Sequence, residues 1–390
     1  MVTVLKYDYK KGGDTMEKNG LQTIPLAKPV FNTQMEQAAV NALWNERFVS
    51  GESVFKFEEE FAKYCGVDHA VSTSSGTNAL SIALQAKNIY YGEVVTTPAS
   101  FVATSNAALH VGAVPRFADI DLATYTIDPA EIRSIISRKT KAILPVHLYG
   151  YPADMDEIDE TRRNKKVVVI EDACQAHGAL YKNRKVGSLG DIACFSFYPS
   201  KNMTVAGDGG MLVTNDGAVA LKAAKLRDCG RKSKYVHDMV GYTSRLNTVN
   251  AAVGRVQLRY LDEWNEKRRR NAKIYQRLLS DIPELILPPK GNDETRPVYH
   301  LYTVRTSQRD RLKSWLESNK IQCGVNYPLP IHLQPVYRKM FKFKRGAYPK
   351  SEELCKTCLS IPLFPDLTTE EINFMSEKIH EFYGNIRGKI

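Results

Sequence analysis

The chain has no run of about 18 consecutive apolar residues, the length that a membrane-crossing helix needs. Its opening, MVTVLKYDYKKGGDTMEKNG, lacks the long apolar core of a secretory signal. Residues 1–23 therefore read as a polar extension ahead of a fold that begins near Ile24, with Met16 as an alternative start. Both absences point to the cytoplasm. Cysteine is scarce, at seven residues, and an odd, scattered set argues against a disulfide framework. The lone C-x-x-C, Cys355 to Cys358, has no second pair to complete a zinc site, and no acidic cluster has ligand spacing. No metal is expected. Internal repeats and low-complexity segments are absent as well.

What is present is an ordinary globular composition: 390 residues, 43% hydrophobic and 25% charged. That length supports a large core and two domains. A net charge of +11 favours anionic partners, either nucleic acid or small molecules carrying phosphates. Basic runs occur in EKRRRNAK (Glu266 to Lys273) and RKMFKFKR (Arg338 to Arg345), a pattern that solvated helix faces also produce. No helix-turn-helix with a basic recognition helix stands out, so a DNA-binding regulator has only the charge behind it.

From Ile24 to Gly254, helix-like and strand-like segments alternate. TNALSIALQA (Thr77 to Ala86) has helical spacing, whereas EVVTTPAS, KAILPVHLYG and KVVVIEDA read as short buried strands ending in polar residues. This alternation predicts an α/β domain with a largely parallel sheet over residues 24–254. Such sheets bind ligands beyond the carboxyl ends of their strands, so the polar strand ends are site candidates. A helical stretch, Asn250 to Leu279, connects through residues 255–280 to a smaller α/β domain over 281–390.

Three features carry chemistry. STSSGTNAL leads small hydroxyl residues and Gly76 into a helix start, where unsatisfied N–H groups suit an anion such as a phosphate; an ordinary capped turn satisfies the same pattern. VVVIEDACQAHGA closes a β-branched strand with Glu171 and Asp172, carboxylates that need a partner once buried. That partner is a salt bridge or the protonated ring nitrogen of a heterocycle. Lys201 follows the apolar CFSFYPS and precedes AGDGG, whose glycines let the chain turn sharply around a ligand. A lysine shielded from water is a nucleophilic amine. Phosphate loop, strand-end aspartate and shielded lysine are together the three parts needed to use pyridoxal phosphate.

On these residues, and on IPLAKPVF, SSGTNAL, EDACQAHGA, FSFYPSKNMTVAGDGGMLVTND, GYTSRLNTVNAAVGRVQL and YPLPIHLQPVY, the chain resembles the DegT/DnrJ/EryC/StrS sugar aminotransferases, fold-type I pyridoxal phosphate enzymes. The motifs run in family order from about Ile24 to the C-terminus. The resemblance implies that Lys201 forms the Schiff base and carries the proton, while Asp172 pairs with the pyridinium nitrogen. It also implies that Gln175 binds the ring hydroxyl and that Phe101 stacks on the ring. Gly76, Thr77, Asn78 and Ser196 would hold the phosphate, and Tyr198, Arg245 and His332 would lie toward the substrate. One departure stands out. Where the family has GYNxR, with Asn donated from the neighbouring subunit of a homodimer, this chain has GYTSR, placing Thr243 there. Its hydroxyl has a shorter reach, unless water or Asn247 substitutes.

A dehydratase branch of the family carries His at the Schiff-base position, so Lys201 favours transamination. The implied reaction moves an amino group from an amino acid, glutamate by resemblance, to a keto-sugar on a nucleotide diphosphate. FYPSKN followed by GDGG resembles members acting on 3-oxo sugars, and members acting on 4-oxo sugars more often carry His after SF and GEGG.

Overall fold

Val167 to Ile170 are four β-branched residues in a row, which crowd a helix but pack well on a pleated surface. In the computed structural model, which describes residues 23–162 and 166–388, they form the centre of a seven-stranded sheet. The expected extension, residues 1–23, lies outside the described residues save for Thr23. In chain order the strands are β1 (His69–Thr73), β2 (Glu93–Thr96), β3 (Val114–Phe117), β4 (Thr140–Ile143) and β5 (Val168–Asp172). Two short strands, β6 (Leu180–Tyr181) and β7 (Arg184–Lys185), turn aside as a hairpin before β8 (Ile192–Ser196) and β9 (Gly210–Thr214) complete the main sheet.

The spatial order is β1-β9-β8-β5-β4-β2-β3. Pairing is parallel from β8 through β5, β4 and β2 to β3, and β9 is antiparallel to both β8 and β1. β1 therefore runs with the parallel set, and β9 alone runs against it. The expected largely parallel sheet is present. Its consequence is geometric: the chain leaves β1, β2, β5 and β8 at the same edge, and those exits carry Ser74 to Asn78, Phe101, Asp172 and Ser196.

Helices cover the sheet. The Gly76–Ala86 helix starts at Ser75, whose hydroxyl accepts from Asn78 N–H at 3.2 Å, and buries Leu80, Ile82 and Leu84. On the other face, Phe61 is fully buried with its ring 5.0 Å from Phe195 and 5.5 Å from Phe197. These rings anchor the strand that delivers Ser196 and, beyond it, Lys201.

The connecting helix runs Thr248–Leu279, so it begins before the expected residue 255. Asn247 is its N-cap, accepting from Asn250 N–H at 2.9 Å. Ala251, Leu258 and Leu261 of this helix pack in the large core, whereas Ala272, Tyr275 and Leu279 pack in the smaller one. That second core also holds an antiparallel pair, β11 (Tyr302–Arg305) and β12 (Cys358–Ile361), following the short β10 (Thr295–Arg296) that pairs with β6. Helices Arg309–Ser318 and Thr369–Arg387 flank it, the latter opened by a capping box between Thr368 and Glu371. Ile24 belongs to this smaller unit: its N–H donates to Lys320 O at 2.9 Å and its carbonyl accepts from Gln322 N–H at 3.0 Å. The first described residues therefore pack with the last third of the chain.

Replacing Phe61 by Ala leaves a cavity among the rings of Phe57, Tyr64, Phe195 and Phe197 and lowers the unfolding free energy by about 3–5 kcal/mol. Urea denaturation of the variant, read as a fall in midpoint at unchanged slope, measures it.

Candidate active site

Along a strand successive side chains point to opposite faces, so the adjacent carboxylates of β5 diverge. Glu171, fully buried, accepts from His147 Nε2 at 2.9 Å and from the N–H groups of Gly187, Leu189 and Gly190 at 3.0, 2.9 and 2.7 Å. Ala153 N–H donates to His147 Nδ1 at 2.9 Å, so Nε2 carries the hydrogen that Glu171 receives. Burial pushes the Glu171 carboxyl up, but the hydrogen bonds from His147 and the loop N–H groups outweigh it and leave the group below its usual range. Glu171 thus ties the strand end to the loops around it.

Asp172 faces the other way, toward Lys201. Its Oδ2 accepts from the Thr104 hydroxyl at 2.7 Å and its Oδ1 from Cys174 N–H at 3.2 Å. Lys201 lies in the segment between β8 and β9, its N–H bonded to Tyr198 O at 2.8 Å. Surrounding protein lowers its ammonium below the usual value, an effect that Cys174 and Asp172 partly oppose. The loop beyond Lys201 is fastened to the long helix. Asn202 Nδ2 donates to Asn265 Oδ1 at 2.8 Å, Thr204 N–H to Gln257 Oε1 at 3.2 Å, and Asn250 Nδ2 to Val205 O. The expected aspartate and lysine lie close enough for the carboxylate to act on the ammonium.

Gln175 is oriented by its own acceptor. Oε1 takes Tyr149 N–H at 2.8 Å, which turns Nε2 toward the Tyr327 hydroxyl at 3.4 Å. Phe101 is 52% exposed, with its ring centre 5.6 Å from that of Tyr327. A half-open aromatic face beside a donor amide and a carboxylate suits a planar, polar-edged heterocycle.

The phosphate loop lies against β9. A Cβ on Gly210 would come within 2.4 Å of the Ser75 carbonyl group, so only glycine lets β9 pass this close. Gly76 is equally constrained, with a Cβ there reaching 2.7 Å from Ser196 Cβ and 2.9 Å from Cys174 Sγ. With Asn78 N–H taken by Ser75, the helix start leaves the amides of Gly76 and Thr77 without intrahelical acceptors, beside Ser196. Asn78 is a brace as well: its side-chain amide donates to Ser74 Oγ at 2.8 Å, and Ser74 Oγ lies 3.0 Å from Ser244 Oγ. These groups fit pyridoxal phosphate, with a lysine amine, a buried carboxylate, an oriented amide, an open ring face and an anion-seeking helix start along one edge.

Other expected residues are placed differently. Thr243 is exposed and its hydroxyl is 3.3 Å from Cys229 Sγ, while its neighbour Ser244 turns inward to the loop of its own chain. Asn247 spends its side-chain oxygen on the helix cap, which removes that oxygen as a stand-in for the usual asparagine. Arg245 pairs with Asp228, and Tyr198 stays 47% exposed next to Lys201 in the chain. His332, expected toward the substrate, makes contacts within the chain. Its ring is fully buried, 3.0 Å from Glu352 Oε1 and edge-on to Tyr348 at 4.8 Å. Cys355 and Cys358 are buried free thiols, and burial raises both. Sequence reading missed Thr104, Tyr327 and His147; the last two lie inside quoted segments, but nothing local marks their direction.

Burying an ammonium costs stability below its depressed pKa, and the cost disappears as pH rises to the unfolded value. Lys201→Met should therefore stabilise the cofactor-free protein at neutral pH, with the gain over wild type shrinking to nothing as pH approaches 10.5. Paired denaturation curves across that range test it; a gain independent of pH would contradict the burial argument.

Comparison with known proteins agrees with this geometry. Residues 31–380 match the profile of the DegT/DnrJ/EryC1/StrS aminotransferase family. A "pleiotropic regulatory protein" of Geobacillus stearothermophilus is 44% identical over 87% of this chain and 91% of its own length. The UDP-N-acetyl-3-dehydro-alpha-D-glucosamine 3-aminotransferase of Acidithiobacillus ferrooxidans is 42% identical, over 83% and 87%. The crystal structure of S. venezuelae DesV, in complex with a ketimine intermediate, superposes with a TM-score of 0.89 at 36% identity, covering 93% of this chain and 99% of that one.

Proposed function

Because this chain belongs to the DegT/DnrJ/EryC1/StrS aminotransferase family, we propose that it transfers an amino group from glutamate to the 3-oxo carbon of a nucleotide-linked sugar. The broader statement needs no proposal: it is a pyridoxal-phosphate-dependent aminotransferase of nucleotide sugars. The observation that carries the reading is a buried Asp172 at the end of β5, held by Thr104 and Cys174, whose charge acts on Lys201. Lys201 replaces the histidine of the dehydratase branch, which favours transamination.

Bound pyridoxal phosphate supplies an electron sink for the carbon that gains or loses the amine. The chain's own residues do the rest in this reading. Lys201, whose ammonium is disfavoured by burial, would bind the cofactor and hold or move a proton at its Nζ. Asp172 holds a proton on the ring nitrogen. Gln175 donates to the ring hydroxyl, Phe101 covers one face, and Gly76, Thr77 and Ser196 receive the phosphate, with Asn78 shaping the loop. Tyr198 and Arg245 are left toward the substrate, whose diphosphate suits the net charge of +11.

Support for the 3-oxo position comes from FYPSKN and GDGG and from the name of the Acidithiobacillus relative. Glutamate rests on family resemblance alone. A DNA-binding role has no support here beyond charge and the Geobacillus relative's name. A homodimer with shared sites would cover apolar side chains that the single chain leaves bare: Trp44 is 83% exposed and Val240 93%, with Phe48 and Tyr235 also exposed. Thr243 is exposed, as a contact to a partner's phosphate requires. Among the described residues no helix is long and apolar enough to cross a membrane, which is compatible with the cytoplasmic location we propose.

The purified enzyme should show a visible cofactor band that borohydride bleaches, leaving the cofactor covalently on Lys201; Lys201→Ala should lose this attachment and all turnover. With glutamate and a panel of 3-oxo and 4-oxo nucleotide sugars, NMR of the product should place the new amine on carbon 3. Amination at carbon 4 would refute the regiochemistry and leave the class intact. Sedimentation should give twice the chain mass, and a cofactor-saturated monomer would remove the shared-site arrangement.

A further inference from the structure

Asp172 is 4% exposed, and its side chain is held from two directions. Cys174 N–H, two residues on, is at 3.2 Å from Oδ1, a local bond that any residue at 174 other than proline supplies. The Thr104 bond to Oδ2 is different. It is short, at 2.7 Å, crosses from another element, and depends on one side chain. Thr104 is 2% exposed and Ser100, 4% exposed, lies with its Oγ 2.8 Å from the Thr104 hydroxyl.

The direction of these bonds follows from chemistry. An ionised carboxylate only accepts, so Thr104 gives it the single hydroxyl hydrogen. The Thr104 oxygen then has only lone pairs to offer Ser100, so Ser100 donates. The result is a one-way chain, Ser100 to Thr104 to Asp172, in which each bond polarises the next. Thr104 also sits in the first turn of the Val102–His110 helix, whose N-cap is Phe101. One helical turn thus places both the aromatic face and the donor to the carboxylate.

We propose that Thr104, supported by Ser100, is a positioning residue that locks the Asp172 carboxylate in the rotamer needed to meet a ring nitrogen. This rests on the pyridoxal phosphate reading above. Without the hydroxyl, Oδ2 loses its fixed donor and the carboxylate swings about its terminal torsion, which is broad and has no deep wells of its own. The other titratable groups facing Asp172 are Lys201, Cys174, Cys194 and Tyr327. Thr104 contacts the carboxylate and leaves the substrate to other residues, so its effect belongs on cofactor retention and kcat.

The test compares Thr104→Val, which keeps shape and removes the donor, with Thr104→Ser, which keeps the donor. Three readouts are needed: the dissociation constant of pyridoxal phosphate from the cofactor-free protein, the 15N shift of labelled ring nitrogen, and steady-state kinetics. Losing one hydrogen bond to a charged group predicts about a tenfold weaker cofactor affinity and a similar fall in kcat. The ring nitrogen shift should move, KM for the sugar should stay within about twofold, and Thr104→Ser should restore all three. Should Thr104→Val fail to fold, Ser100→Ala reads the same chain from its far end, with a smaller change in the same direction. Wild-type values in Thr104→Val or, if it does not fold, in Ser100→Ala overturn the proposal, as does equal damage in Thr104→Ser. A wild-type protein that takes up no pyridoxal phosphate overturns the underlying reading instead.

Discussion

A carboxylate cannot stay charged inside a protein without partners, and the adjacent pair at the end of β5 dominates the design of this molecule. The pleat sends Glu171 and Asp172 to opposite faces of the sheet. Glu171 is answered entirely by protein, through one imidazole and three backbone N–H groups. Asp172 receives one hydroxyl and one N–H, fewer than its oxygens can accept, and faces a lysine whose own charge is disfavoured by burial. The first carboxylate is structural ballast for the second. The strand end is rigid because Glu171 is fully satisfied, and it remains reactive because Asp172 is not.

The remaining parts of the site inherit their places from the same sheet edge. β9 runs against the other strands, and its first residue must pass the phosphate loop so closely that only glycine fits at 210. The segment carrying Lys201 ends at that crossing and is stitched to the long helix by Asn202, Thr204 and Val205. Because that helix belongs to both cores, the lysine loop is coupled to the packing of the smaller domain as well as its own. The smaller domain reaches back through Tyr327, which lies over Phe101 and beside Gln175.

Much of this was legible from residue order. Strong β-branched runs, helical spacing and strand-closing acids identified a mostly parallel sheet and the two reactive side chains. Motif likeness added the amide, the aromatic and the phosphate loop. What failed was direction. His332 sits in a motif yet turns into a buried aromatic cluster, because Glu352 and Tyr348 arrive there from a later helix and loop. Asn247 is near enough in sequence to replace a missing asparagine, but a helix begins after it and claims its side-chain oxygen as a cap. Thr104 and Ser100 look like any hydroxyl residues at a helix start until β5 is laid beside them.

The residue order alone determined which chemistry is available: a lysine, an aspartate, a glycine-bearing helix start and their order along an alternating α/β chain. These depend on local periodicity and on side-chain identity, which a linear string contains in full. Tertiary structure alone decided which groups are answered by protein and which are left open for a ligand. It also decided that Ile24 packs in the smaller core and that Thr243 is exposed beside Cys229 while Ser244 braces the loop after β1. Such outcomes arise from contacts between segments far apart in the chain, where burial and distance, and not residue type, choose the partner.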